Sequence, residues 1–465
     1  MPDGKLIRQS SSYMDPGGTV YESDDEILRA ISAPFADFYK RLLENSPVKE
    51  MLGHQLVETE LALGSIPNYA LTLRHRRIWP VSYCYEWPME MLRDAALLTL
   101  DICLRVSDHG LVLQDASPWN LVFDRTRPIF VDFTSVVPQD QKLLWVAYDQ
   151  FCRLFLFPLA LYRYLPGRLV RALLRDSVSG VSADETARLL PLHATVHMPW
   201  LLGRLHLARF VLAIVRALGR ESDLKRISSR FQPTREARRS FFISLRKDVR
   251  KIPRRIPKSR WVGYYADIQT FFHPSQFNTK QHTVAHLLAE IKPHSVVDIG
   301  CNRGGYSILA AIAGAKVVAF DTDERSVASL YQLARENKFE ILPLVMDILN
   351  PSPSLGWRSE QLPAARQRFR SEMAMALGLV HHLVITYSQT FERIVQAFAD
   401  YADNCLLTEF VPLDDPRAQD LMVTVRKDLS WCSLEMYIHA LRKTFSRVER
   451  FPSHPQGRTL ILCYR

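Results

Sequence analysis

Long apolar runs are missing from this chain. No stretch offers about 18 uninterrupted apolar residues, the length a membrane-spanning helix needs. The nearest candidate, WLLGRLHLARFVLAIVRAL (200–218), is broken by Arg204, His206, Arg209 and Arg216 and reads as an amphipathic or buried helix. The start of the chain, MPDGKLIRQSSSYMDPGG, lacks the apolar core of a signal peptide, and residues 1–24 read as a polar, mobile tail. Cysteines are few and scattered: seven, with no CxxC pair. That excludes a disulfide framework and a structural zinc site of the paired type, and it fits a reduced, cytoplasmic setting.

What is present describes a globular chain. Of 465 residues, 47% are apolar and 23% charged, enough for real cores, and the length suggests two domains. The net charge of +10 is unevenly spread. Between Arg235 and Arg260 stand eleven Lys and Arg against two acids, Glu236 and Asp248, a net of +9. Such a block can touch nucleic acid or an anionic surface. Read without a partner it is a solvated helix end and connector, stopped by Pro253 and Pro257. The expected division is therefore a tail at 1–24, an N-terminal accessory domain at 25–234, a basic linker at 235–262 and a second domain at 263–465.

Beyond the linker, strand and helix signals alternate: QHTVAHLLAEI, SVVDIG, GGYSILAAIAG, AKVVAFDTD, ERSVASLYQLARENK and FEILPLVMDILN in turn. EMAMALGLVHHLVI, NCLLTEFVP, RVERF and TLILCYR follow. This order predicts an α/β fold, a Rossmann-like, mostly parallel, doubly wound sheet whose ligand lies at the carboxyl ends of the strands. In VVDIGCNRGGYS (296–307), Gly300 permits a sharp exit from the first strand, and Gly304 and Gly305 let backbone approach a ligand. The spacing is not G-x-G-x-x-G: Asn302 stands where a second glycine would be, and no P-loop lysine follows, so a pyrophosphate is poorly served. Asp298 would repel a phosphate but suit a cationic amino-acid group. Asp321, 21 residues after Gly300, can accept from both hydroxyls of a ribose, and Asp347 from an adenine amine. A ligand with a positive end, a ribose and an adenine but no phosphate is S-adenosylmethionine.

VVDIGCNRGGYS, VVAFDTDE, LVMDILN and MALGLVHHL resemble, in order and spacing, the successive motifs of class I S-adenosylmethionine-dependent methyltransferases over about residues 280–412. The resemblance implies that Asp298 contacts the methionyl part through the loop, that Asp321 binds the ribose, and that Asp347 faces the adenine. It implies that the HHL stretch shapes the cofactor pocket. Asp323 reads as the cap of the next helix, and Cys301 as a small packing residue. Candidates for chemistry beyond the cofactor are His381 and His382, as proton acceptors, and Glu409 as a substrate contact. The tetrapeptide that marks amino-directed members of the family is absent; Thr386-Tyr387-Ser388-Gln389 stands after the fourth strand, and the acceptor atom stays open.

The first half carries another signal, DHGLVLQDASPWNLVFDRTRPIFVDFTSVV (108–137). Asp115 and Asn120, followed by Asp132 at the end of PIFVDF, resemble the catalytic loop and metal-binding acid of kinase-like folds, after a hinge and long helix at 83–106. The domain is thus expected to be mainly helical and α+β. No glycine-rich phosphate loop or V-A-I-K lysine is evident, and DFT replaces DFG. Metal is expected only at Asn120 and Asp132, if that loop is active. Taken whole, the chain is similar to a bacterial group that includes the rhizobial host-specificity nodulation proteins of the NoeA type, which implies methylation of a signal or envelope glycan. The leading expectation is a methyltransferase acting on an unidentified acceptor, a small molecule or glycan, with nucleic acid less favoured. The alternatives are an RNA-binding methyltransferase that uses 235–260, and a kinase-like phosphotransferase with an inactive methyltransferase half.

Overall fold

The computed structural model describes residues 6–9, 18–23, 26–207, 232–253, 259, 268–423 and 428–465. Two units divide the chain, Met1–Ile256 and Pro257–Arg465.

In the first unit, short β-rich segments pair into an antiparallel sheet. Its strands are β1 (Ile7–Arg8), β2 (Gly18–Glu22), β3 (Ile27–Ile31), β4 (Thr59–Leu61) and β5 (Leu71–His75), in the order β1-β2-β3-β5-β4. A helix, Ala33–Glu44, follows β3 at once, started by Pro34 in its first turn. The long helix Met89–Ser107 buries Leu92, Ala96, Leu100 and Cys103, a stripe at the spacing of the helical turn. Two small ribbons come next. β6 (Leu111–Leu113) pairs with β9 (Val136–Pro138), and β7 (Leu121–Asp124) pairs with β8 (Arg127–Phe130). The α+β character expected for this half is what forms.

Two boundaries differ from expectation. Residues 1–24 are not tail throughout: Gly18–Glu22 is a strand that pairs with β3 on one side and with Ile7–Arg8 on the other. Likewise, the basic stretch 235–262 is not connector from its first residue. Arg235–Lys251 is a 17-residue helix, capped by Thr234, that buries Phe242, Leu245 and Val249. It packs against Met89–Ser107, and the division of the chain falls after Ile256. The apolar positions recur at three- and four-residue spacing, and burying them outweighs the charge on the other face. Its arginines are largely engaged inside the unit. Arg235 and Arg239 meet Asp108, Arg246 meets Asp101, and buried Arg238 donates to the carbonyls of Asp140, Gln141 and Leu143. The amphipathic stretch at 200–218 lies outside the described residues from 208 onward.

The second unit is the doubly wound sheet. Its strands are β10 (Ser295–Ile299), β11 (Lys316–Asp321), β12 (Ile341–Val345), β13 (Ser371–Ala376), β14 (Ala402–Phe410), β15 (Arg447–Pro452) and β16 (Thr459–Tyr464). They lie in the order β12-β11-β10-β13-β14-β16-β15, with β10 to β14 parallel and β16 antiparallel to both its neighbours. Parallel strands buried on both faces read as continuous apolar runs, as VVAF and ILPLV do. The core includes Val296, Ala319, Met373, Met375 and Leu407 from the sheet, with Leu288, Ile308 and Leu330 from the helices above it. The order reverses between β10 and β13, which opens a crevice at their carboxyl ends.

Candidate functional site

β10 ends at Ile299, and the chain turns sharply at Gly300, whose φ is +74°. Backbone N–H groups of Gly300 and Cys301 donate to Phe320 O on β11, at 2.9 and 3.1 Å, so the loop is pinned to the neighbouring strand. Asn302 has φ +51°, a left-handed conformation that Asn tolerates better than most residues. This explains why a loop of this shape manages without a second glycine. Asn302 N donates to Asp321 Oδ2 at 2.8 Å, and Asp323 N donates to Asp321 Oδ1 at 2.8 Å. Each oxygen keeps a further lone pair, and Asp321 faces a cleft with acceptor capacity in hand. Burial holds its carboxyl above the usual range.

The cleft is lined on one side by Gly300, Asn302, Asp321 and Asp347. His382 and Leu383 of the HHL stretch line it too, together with Phe320, Met346, Leu349 and Leu379, to which the motif reading gave no role of their own. Leu379 and Leu383, four apart at the start of the Val380–Ile385 helix, carried a usable signal: apolar residues one turn apart directly after a strand. Asp347 sits just past β12, its Oδ1 accepting from Leu349 N at 2.9 Å. Asp323 caps the Glu324–Asn337 helix as expected, accepting from Arg325 N and Ser326 Oγ. Cys301 is buried, which pushes its thiol well above the ordinary range and suits a packing role.

Other expected site residues lie elsewhere. Asp298 is buried beneath the loop and does not line the cleft. Its Oδ2 accepts from Ser307 Oγ at 2.6 Å, tying the strand to the first turn of the next helix. Burial, the leading cause, and nearby Asp321 push its pKa up to about 6, against the effect of the Ser307 hydrogen bond. Gly304 and Gly305 are tightly packed. A Cβ on Gly304, whose φ is +76°, would stand 2.4 Å from Leu330, and one on Gly305 would stand 2.4 Å from the Phe271 ring. Glu409 is fully buried and already bonded, to Lys280 Nζ at 2.6 Å through Oε2 and to Ser453 Oγ at 2.6 Å through Oε1. Asp415 and Arg458 form a second buried pair nearby in the unit. Lys280 comes from a helix 129 residues before Glu409, a separation that no local pattern reveals.

Of the two histidines, His382 lines the cleft, and His381 is 2% exposed. Their rings lie 4.2 Å apart. Burial lowers the pKa of His381 to about 3, helped by His382, Arg458 and Lys280 and opposed by Asp415. Burial and Arg458 lower that of His382 to about 4. Both are neutral near pH 7, and values so far below it make either ring a weak proton acceptor.

Comparison with known proteins places the chain. It is 30% identical over 459 residues to the nodulation protein NoeA of Rhizobium meliloti (strain 1021), which covers 92% of this chain and 91% of that protein. The chain belongs to the NoeA family. Within its second unit, residues 264–353 match the family of the tellurite resistance protein TehB. Among solved structures, monomeric WbdD is 18% identical over 39% of this chain and 38% of its own, with a TM-score of 0.28. Magnesium protoporphyrin IX methyltransferase from Synechocystis PCC 6803, with bound S-adenosylmethionine, is 20% identical over 46% of this chain and 88% of its own, TM-score 0.29. The C-terminal unit is a TehB-like methyltransferase domain, and its cofactor is S-adenosylmethionine. The donor set fits that cofactor: a carboxylate with spare lone pairs at the end of the second strand, apolar walls for a flat base and, among the described residues, a lining without Lys or Arg. Among the described residues, no helix is long and apolar enough to cross a membrane.

Proposed function

We propose that this protein transfers a methyl group from S-adenosylmethionine to a small-molecule or glycan acceptor, in the nodulation setting suggested by the family. The cofactor supplies an electrophilic methyl group on a sulfonium, so the protein's task is alignment and exclusion of water. Asp321 would take the ribose hydroxyls and Asp347 the adenine amine, while Gly300 and Asn302 form the floor. Asp298, Gly304 and Gly305 act by building the loop. His382 stands as a neutral imidazole in the cleft lining, beside apolar Leu349 and Leu383 and exposed Tyr387.

The observation that carries the reading is Asp321, held by two backbone N–H groups and still open to the cleft. The engaged arginines of the Arg235–Lys251 helix weaken the RNA reading.

The test is isothermal titration with S-adenosylmethionine and S-adenosylhomocysteine, followed by transfer of labelled methyl to glycan, small-molecule and RNA fractions. Micromolar binding with label in the first two fractions supports the proposal. Absent cofactor binding, or label in RNA alone, overturns it.

A further inference from the structure

Exposed aromatic and apolar side chains gather on one rim of the cofactor cleft. Tyr387 lines the cleft and is 52% exposed. It stands just past the Val380–Ile385 helix, and its turn is pinned by three hydrogen bonds. Ser388 N donates to Val384 O at 3.0 Å, Gln389 N to Leu383 O at 3.0 Å, and Gln389 Nε2 to Tyr387 O at 2.9 Å. Ser388 has φ +57°, a left-handed conformation that costs free energy in a residue other than glycine. Such strained turns persist where the surrounding bonds over-determine them, and they gather at sites that hold ligands.

Phe391 follows at the start of the next helix, Phe391–Ala399, and supports a second exposed aromatic. Trp431 is 36% exposed, and its ring meets Phe391 edge-on, with centroids 5.1 Å apart and planes at 75°. Phe391 is buried and packs in turn on Tyr437, 4.9 Å away, and on Phe410 at the end of β14, 6.4 Å away. Met436, beside Tyr437 in the first turn of the Leu434–Arg442 helix, is 47% exposed. The Phe391–Ala399 and Leu434–Arg442 helices pack together. Tyr387, Trp431 and Met436 thus come to the carboxyl edge of β13 and β14, on the side of the crevice opposite β11 and β12.

Apolar side chains exposed singly mean little, whereas a group held rigid at the mouth of a reaction cleft marks a surface that is covered in use. Aromatic rings already seated on a buried support lose little freedom on binding, which lowers the cost of covering them. With ribose and adenine on the side of Asp321 and Asp347, the acceptor comes in from the side of Tyr387. Its occupant therefore has two parts, a nucleophile that reaches the cofactor and an apolar stretch that lies on the rim.

We propose that the methyl acceptor is an amphiphile, whose polar, reactive group enters the cleft while an alkyl or acyl chain lies over Tyr387, Trp431 and Met436. The proposal rests on the methyltransferase reading and narrows its acceptor to one that carries such a chain. Each methylene laid on the rim leaves water, so affinity climbs with chain length.

Titration calorimetry of the full chain saturated with S-adenosylhomocysteine tests it, using hexyl, heptyl and octyl β-glucosides and the matching n-alkanols below their micelle or solubility limits. Affinity should rise roughly threefold with each added methylene in both series. Trp431→Ala should weaken octyl glucoside about tenfold and Met436→Ser about threefold, with S-adenosylhomocysteine affinity unchanged. Ile312→Ala, which removes an exposed apolar side chain from the far end of the Gly305–Ile312 helix, should change neither affinity. Binding independent of chain length overturns the proposal, as does an equal loss in Ile312→Ala and Trp431→Ala. A dimer in sedimentation that is lost in Trp431→Ala assigns the rim to a second copy and also overturns it. Failure of S-adenosylhomocysteine itself to bind removes the methyltransferase reading and the proposal with it. Normal S-adenosylhomocysteine binding without either alkyl series removes the amphiphile alone.

Discussion

Asp321 ends a strand and Asp132 follows one closely, yet they are handled in opposite ways. Asp321 is held by backbone N–H groups of its own loops, and its remaining lone pairs face a cleft. Asp132 is met by the Arg29 side chain, 103 positions away on another layer. Backbone donors orient a carboxylate without neutralising it, whereas a guanidinium cancels its charge. The first acid keeps acceptor capacity for a ligand that carries hydroxyls. The second has its charge answered within the fold.

The largest expected effect would break the first half of this contrast. Asp321→Ala should weaken S-adenosylmethionine binding by about a hundredfold or more, with an unchanged circular dichroism spectrum, because paired hydrogen bonds to one carboxylate are lost. Unaltered affinity in titration calorimetry would show that the ribose is held elsewhere. Next, Leu245→Ala should cost about 3 kcal/mol by leaving a cavity between the basic helix and Met89–Ser107, read as a lower denaturant midpoint. A neutral result would restore the stretch to a solvated connector.

Gly304→Ala sharpens the contrast from the packing side. Its φ of +76° and the Leu330 contact at 2.4 Å should cost about 2 kcal/mol, seen as a lowered Tm. Asp298→Asn tests burial. Because Asp298 titrates at about 6 when folded and near 3.9 when unfolded, the folded state binds more protons in between, and stability falls as pH rises from about 4 to about 6. The amide should remove that slope, keep the Ser307 hydrogen bond, and gain about 2 kcal/mol at pH 7 in urea titrations run at several pH values. Smallest of all, Lys247→Ala on the exposed side of the basic helix should stay within about 0.5 kcal/mol.

The second unit was largely legible along the chain because parallel strands and their helices carry strong local periods, and each motif lies at the end of one strand. That Asp321, Asn302 and Asp347 line one cleft could be anticipated from such positions. For Asp298, Gly304 and Gly305 the motif marked the loop, but not the Ser307 hydrogen bond or the packing of Leu330 and Phe271 against it. Glu409 was misread because its partners, Lys280 and Ser453, come from distant segments. The strands at Ile7–Arg8 and Gly18–Glu22 were missed because short polar-edged strands look like tail until their partners are known.

By itself, then, the sequence determined the alternating strand and helix order, the glycine-bearing turn, the acids at three strand ends, and the cofactor they imply. Those features depend on residues close together in the chain, where spacing is geometry. Only the tertiary structure decided which acids reach the cleft, that a basic stretch is half core, and that Arg29 faces Asp132. Each of these rests on burial or charge shared between segments far apart in sequence, and such pairings leave no periodic trace in the segments themselves.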